Sequence, residues 1–194
     1  MLARQALLWN ISNADSIAGI PQLDYNGKHS PVIKEKNISI KTAANIAAVA
    51  RKQGKKVVTT NGCFDILHSG HVKNLQTIKK LGDILIVGVN SDASVRRNKG
   101  PLRPIVTAKE RTLMLAGLAC VDYVFVFSNK SPIVWIKKIR PAIHAKGKGS
   151  EHSPAFEAER RAVEEAGGRI FLAPHTKGKS TTDIIRTIVK RYKK

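Results

Sequence analysis

Val57-Val-Thr-Thr-Asn-Gly-Cys-Phe-Asp-Ile-Leu-His-Ser-Gly-His71 is the stretch on which the fold turns. An apolar, β-branched run leads into Gly62, and the run reads as a buried strand. Gly62 lets the chain turn tightly, and Cys63-Phe64-Asp65 can aim backbone N–H groups at a phosphate. His68 and His71 then flank a loop-to-helix junction, with Gly70 permitting close approach. A helix N-terminus favours negative charge. Two imidazoles placed there can donate hydrogen bonds to phosphate oxygens as charge builds up in a transition state. The plainer reading, two solvated histidines at a helix start, leaves the compound pattern unexplained. A zinc site fits less well, because it needs a third protein ligand and the spacing is not the helical i, i+4 pair.

Outward from this stretch, strand-like and helix-like runs alternate. Strands are expected at Asp83–Val89, Asp122–Phe127, Ala142–Ala145 and Arg169–Ala173. Most are continuously apolar, as for strands covered on both faces. Helices are expected at Thr42–Lys52, stopping at Gly54, and at His71–Leu81, stopping at Gly82. Thr107-Ala-Lys-Glu110 is a capping-box pattern. Ser131-Pro132 and Ser153-Pro154 each offer an N-cap followed by proline at the first helical position. Ser180-Thr-Thr-Asp183 precedes a last apolar helix. Alternating units of this kind imply an α/β fold: a Rossmann-like, doubly wound parallel sheet of about five strands, helices on both faces. Ligands of such sheets bind at the strands' carboxyl ends.

The chain has 194 residues, room for one domain with a real core. Residues 1–37 fit the alternation poorly and read as a partly ordered N-terminal extension, with the domain proper at 38–194. Its first residues lack a secretory signal, and a transit peptide is weakly supported at best. The 42% hydrophobic content is ordinary for a globular protein. No apolar run is long enough to span a bilayer, so no membrane partner is expected. Cys63 and Cys120 sit in no zinc or disulfide spacing, which suits a reducing cytoplasm. The formal net charge is +20, from 34 Lys+Arg against 14 Asp+Glu. That excess favours anionic ligands, although a basic solvated surface would look the same. A nucleic-acid-binding module is the rival of another class. Aromatics are only 5% and no RNA-binding aromatic signature is present, so nucleic acid is disfavoured. Gly178-Lys179-Ser180 is not a P-loop, because the required earlier glycine falls at Ala173.

Gly62-Cys-Phe-Asp-Ile-Leu-His-Ser-Gly-His71 resembles the signature of the His-x-Gly-His, cytidylyltransferase-like nucleotidyltransferases. Val89–Gly100, Arg103-Pro104, Glu110-Arg111, Val121-Asp122, Lys146-Gly147 and Ser180–Ile185 follow in the order of one branch, the D-glycero-D-manno-heptose 1-phosphate adenylyltransferases. The resemblance covers roughly residues 38–190. Many members carry the domain behind a sugar kinase, and this chain resembles the stand-alone form. It departs at Asn74, where the branch usually has an aromatic residue, and at Lys146-Gly-Lys-Gly-Ser150, where the branch has Lys-Gly-Gly-Asp-Tyr.

The resemblance implies transfer of AMP from ATP to a sugar 1-phosphate, heptose 1-phosphate first, with Mg²⁺ on the triphosphate. Transfer of CMP to glycerol 3-phosphate or a similar alcohol phosphate is the alternative within the superfamily. It implies that His68 and His71 stabilise the α-phosphate and that Lys99 brings the acceptor phosphate in. Gly62, Cys63, Phe64, Gly70, Lys146 and Gly147 would line the nucleotide pocket. Ser180, Thr181 and Thr182 would hold the β- and γ-phosphates, with Lys177 and Lys179 nearby. Asp65, Arg103 and Arg111 would face the acceptor substrate. A homodimer is compatible with it, and no metal held by protein side chains is expected. Each assignment has a plainer counterpart. Lys99 could be a solvated basic loop, Arg111 a helix ion pair, Ser180–Thr182 a simple N-cap, and Asp65 an Asx turn. Asn90 and Asp92 could cap the next turn or touch ligand.

Overall fold

A computed structural model describes residues 33–174 and 178–193. Residues 1–32, the greater part of the expected extension, and Lys177 lie outside the described residues.

Five parallel strands form one sheet: β1 (Val57–Gly62), β2 (Ile84–Asn90), β3 (Tyr123–Phe127), β4 (Ile143–Gly147) and β5 (Arg169–Ala173). The spatial order is β3-β2-β1-β4-β5. The chain therefore starts at the centre, winds out to one edge, and crosses back to build the other half. The order reverses between β1 and β4, where Thr60 is in register with Ala145. A crevice opens at such a reversal, because the connections leave the two strand ends in opposite directions.

Helices cover both faces, as the continuously apolar strands require. On one face α2 (Ser69–Lys79) and α4 (Ala108–Ala116) bring Leu75, Ile78 and Leu115 against Val58, Leu85, Val87 and Val89. On the other, α1 (Ile40–Lys52), α5 (Ile133–Ile139) and α6 (Phe156–Glu165) pack Ala43, Ala47, Trp135, Ile136 and Val163 against Val57, Ile86 and Phe125. Glycine at position 88 makes room for this second core. A Cβ there would stand 3.1 Å from the Phe125 ring and 3.3 Å from Trp135.

Local signals explain most helix starts. The Ser39 hydroxyl accepts from the Thr42 N–H at 3.0 Å and caps α1. Thr107 and Glu110 form the full capping box of α4. Two starts differ from the sequence expectation. The Ser131-Pro132 helix begins at Ile133, and the Ser153-Pro154 helix only at Phe156, after a short 3₁₀ turn at Ser150–His152. The Ser131 hydroxyl nonetheless accepts from the Ile133 N–H at 3.4 Å, with Pro132 in helical backbone, whereas the α6 start has no side-chain cap hydrogen bond. One helix was not expected: α3 (Asp92–Lys99), capped by Ser91, so Lys99 ends a helix rather than sitting in a loop. The last helix, α7 (Thr181–Tyr192), is capped by Ser180. At the near end, the Lys36 ammonium donates to the Val121 carbonyl at 2.9 Å and Asn37 bridges to Val124. Among the described residues no helix is long and apolar enough to cross a membrane.

Candidate active site

A cleft of about 430 Å³ opens at the carboxyl ends of β1 and β4. Its floor is Thr60-Asn61-Gly62 of β1, and its rim is Cys63-Phe64-Asp65. His71 and Asn74 of α2 stand on one side with Gly147, Thr181 and Thr182. Lys99 and Arg103 line it as well. A smaller lobe of about 220 Å³ adds His68, Gly70, Lys179 and Ser180, and shares His71, Asn74, Gly147 and Thr181 with the main cleft.

The two histidines are held by the helix start itself. His68 occupies the N-cap position of α2 in extended backbone, and its carbonyl accepts from the His71 N–H at 2.9 Å. The imidazoles stack, with ring centroids 3.8 Å apart and planes 21° from parallel. Phe64 meets the His71 ring edge-on at 5.2 Å. Phe64 reaches that contact with a φ of +49°, a left-handed conformation uncommon for an aromatic residue. Burial, and then the neighbouring His68, lower the pKa of His71 from 6.5 to about 4. The ligand-free site at neutral pH therefore holds His71 uncharged, and an arriving polyphosphate would favour its protonation.

Gly70 explains how the rings fit. A Cβ at this residue would stand 3.0 Å from the His68 ring and 3.0 Å from Lys179 Cβ. A larger residue would press on the imidazole and on the segment leading into α7 where they converge on α2. At the α7 start, Ser180 Oγ accepts from the Asp183 N–H at 3.1 Å and donates to its carboxylate at 2.7 Å. The start of α7, at Ser180 and Thr181, thus borders the lobe that His68 and His71 line.

Five side chains named from sequence have partners that bear on their roles. Arg111 is fully buried. It donates to the carbonyls of Val106 at 2.9 Å and Asn90 at 2.8 Å, to Asp92 at 2.8 Å, and to the Cys63 carbonyl. It does not line the cleft; it is a positioning residue that ties the β1 turn to the end of β2 and the start of α3. Asp65 is also buried: it pairs with Arg103 and accepts from the Ile105 and Val106 N–H groups at 2.7 and 2.9 Å. Its edge lines the cleft, but its oxygens hold Arg103 and fix the 103–106 segment. The Lys146 ammonium turns away to Glu159 of α6, leaving Gly147 as the cleft residue of that strand end. Asp92 accepts from the Ala108 N–H at 2.8 Å, while Asn90 donates from Nδ2 to Ser94 at 3.0 Å and also lines the cleft.

Sequence reading missed Glu159, whose helix gave no hint of a lysine partner 13 residues earlier, and gave Asn61 no role. Cys63 lines the cleft and burial raises its thiol pKa; both cysteines are free. Among the described residues no group of three or more His, Cys, Asp or Glu could hold a metal ion.

The sequence profile of the cytidylyltransferase-like family matches residues 59–187, which span every wall of this cleft. The chain belongs to the cytidylyltransferase-like family. It is 42% identical over 182 residues to the bifunctional protein HldE of Trichlorobacter lovleyi, covering 94% of this chain and 35% of that protein. With the HldE of Syntrophotalea carbinolica it shares 48% identity over 148 residues, 76% of this chain and 30% of the other. The chain thus spans about a third of the length of these relatives. A lipopolysaccharide core biosynthesis protein from Thermoplasma volcanium superposes with a TM-score of 0.53 at 28% identity, over 65% of this chain and all of that one. A pantoate-β-alanine ligase from Francisella tularensis shares the fold, with a TM-score of 0.53 at 16% identity over 81% of this chain and 78% of that one.

Proposed function

We propose that this domain is a nucleotidyltransferase that moves AMP from ATP onto a sugar 1-phosphate, heptose 1-phosphate first, and releases pyrophosphate. The observation that carries the reading is the stacked His68–His71 pair at the N-terminus of α2. Residues suited to a nucleotide, Gly147 and Thr181, stand with it in the cleft that Lys99 and Arg103 also line. The branch resemblance of the motifs and the HldE relatives support ATP and a heptose phosphate as the substrates.

The acceptor phosphate is already a competent nucleophile, so one in-line displacement suffices. An acceptor oxygen attacks the α-phosphorus, the bond to the bridging oxygen breaks, and pyrophosphate carries the electron pair away. Lys99 and Arg103 offset the charge of the acceptor phosphate. His68 and His71 donate to the α-phosphate oxygens as the charge develops. The first-turn N–H groups of α7, with Lys179, receive the β- and γ-phosphates. Mg²⁺ arriving with ATP would offset the charge of the triphosphate.

The test is pyrophosphate release from ATP and CTP against heptose 1-phosphate, other sugar 1-phosphates and glycerol 3-phosphate. Turnover is expected with ATP and a sugar 1-phosphate. Losing one charge-stabilising donor costs about 100- to 1,000-fold in turnover, so His68→Ala and His71→Ala should each fall by that factor while folding normally. Wild-type turnover in either variant refutes the mechanism. Turnover confined to CTP and glycerol 3-phosphate would replace the substrate assignment.

A further inference from the structure

Asn61 and Asn74 both line the main cleft. The side-chain oxygen of each is buried with no hydrogen-bond partner among the described residues. A buried acceptor left unpaired is costly, and it persists where a ligand completes it. Lys99 and Arg103 of the cleft suit phosphate, as does the positive end of a helix. Two carboxamide oxygens do not, because a phosphate has no proton to donate to them at neutral pH. They call for a neutral group rich in donors.

The position of Asn74 narrows the choice. It also lines the smaller lobe, together with His68, His71, Gly147, Ser180 and Thr181 and without Lys99 or Arg103. That places it on the nucleotide side of the cleft. It follows His71 by three residues on α2, about 4.5 Å along the helix axis. The ribose is bonded to the α-phosphate through its 5′ oxygen, so the sugar is the part of the nucleotide one helical turn from that phosphate. Two orphaned acceptors match two vicinal hydroxyls.

We propose that Asn61 and Asn74 form a carboxamide pair that binds the 2′- and 3′-hydroxyls of the nucleotide's ribose. The proposal rests on the nucleotidyltransferase reading, and it makes Asn74 a residue that selects a ribose bearing both hydroxyls.

Calorimetric titration with ATP and with 2′,3′-dideoxy-ATP tests it in the wild type, Asn74→Leu, Asn74→Ala and Asn61→Leu. The wild type should bind ATP about tenfold more tightly than the dideoxy analogue, the effect of one or two net hydrogen bonds. In Asn74→Leu and Asn61→Leu the ratio should collapse towards one through weaker ATP binding, with dideoxy binding little changed. The melting temperature of Asn74→Leu should equal or exceed that of the wild type, because an apolar residue of similar size removes an unpaired acceptor. Asn74→Ala carries the binding test if leucine does not fit. A ratio that survives in the variants, or a wild type indifferent to the hydroxyls, overturns the proposal. So does a clear fall in the stability of both Asn74 variants, which would make the side chain structural. A changed KM for the sugar phosphate with unchanged nucleotide preference would assign the pair to the acceptor instead. A wild type that binds no ATP at all refutes the function proposed above, and this inference falls with it.

Discussion

Gly70 shows how far a single residue constrains the chemistry. Any side chain there presses on the His68 imidazole and on Lys179 at 3.0 Å. Gly70→Ala should therefore displace His68 from its stack with His71. A misplacement of about 1 Å can cost about 100-fold in rate. Helix propensity acts the other way, since alanine in a helix is favoured over glycine by up to about 1 kcal/mol. Turnover should drop by roughly two orders of magnitude, as expected for a positioning defect, while the melting temperature moves little. Full activity in Gly70→Ala, measured by pyrophosphate release, would show that the ring position is not needed. The motif could be read from sequence because it combines a strand, a glycine turn and two histidines at fixed spacing. Lys146 was the opposite case. The lysine is visible in sequence, but its partner Glu159 comes from a different element, and the ion pair takes the ammonium away from the cleft.

At the scale of elements, the junction of β1, β2, α3 and α4 depends on Arg111. It sits inside α4, yet its guanidinium reaches the carbonyls of Cys63, Asn90 and Val106 and the Asp92 carboxylate. Arg111→Met keeps much of the volume but strips these partly buried acceptors of their donor. Each such loss costs about 1–3 kcal/mol, so a total of about 3 kcal/mol or more is expected. Urea unfolding should show the midpoint falling accordingly, and the Cys63 turn should loosen with it. A variant as stable as the wild type would mean that the four contacts carry no net stabilisation. Sequence periodicity could not find this, because a charged residue in a capped amphipathic helix ordinarily faces solvent. It also missed α3. That helix buries only Ser94 and Val95, so it carries no apolar stripe, and its one usable sign was the Ser91 cap.

At the scale of the molecule, two histidines couple stability to pH. Burial holds His71 at about 4 and His144 at about 3, each below the ordinary 6.5. His144 is fully buried, with Nδ1 2.8 Å from Thr59 Oγ1 and Nε2 unpartnered among the described residues. Below pH 6.5 the unfolded chain takes up protons that the folded chain refuses. The stabilising effect of keeping both rings neutral is complete above about 6.5 and is lost as pH falls towards 4 and 3. Melting temperature should therefore decline between pH 6.5 and about 5, still above the carboxylate range. His144→Asn, whose amide can replace the Nδ1 contact, should show a shallower decline. An identical slope in wild type and variant would exclude His144 as a source.

The sequence by itself determined the α/β alternation, the five strands to within two residues at each end, and the turn from Gly62 to His71. These are local properties: β-branched runs, glycine turns and caps act over a few residues, so they are written contiguously. Only the tertiary structure decided which residues share the cleft. The β3-β2-β1-β4-β5 order brings the ends of β1 and β4 together and lets α7 meet α2 across more than 100 residues. It also sorted the charged residues, leaving Lys99 and Arg103 at the cleft while consuming Arg111 and Lys146 inside the framework. A charge finds its partner through space, and spacing along the chain does not encode that choice.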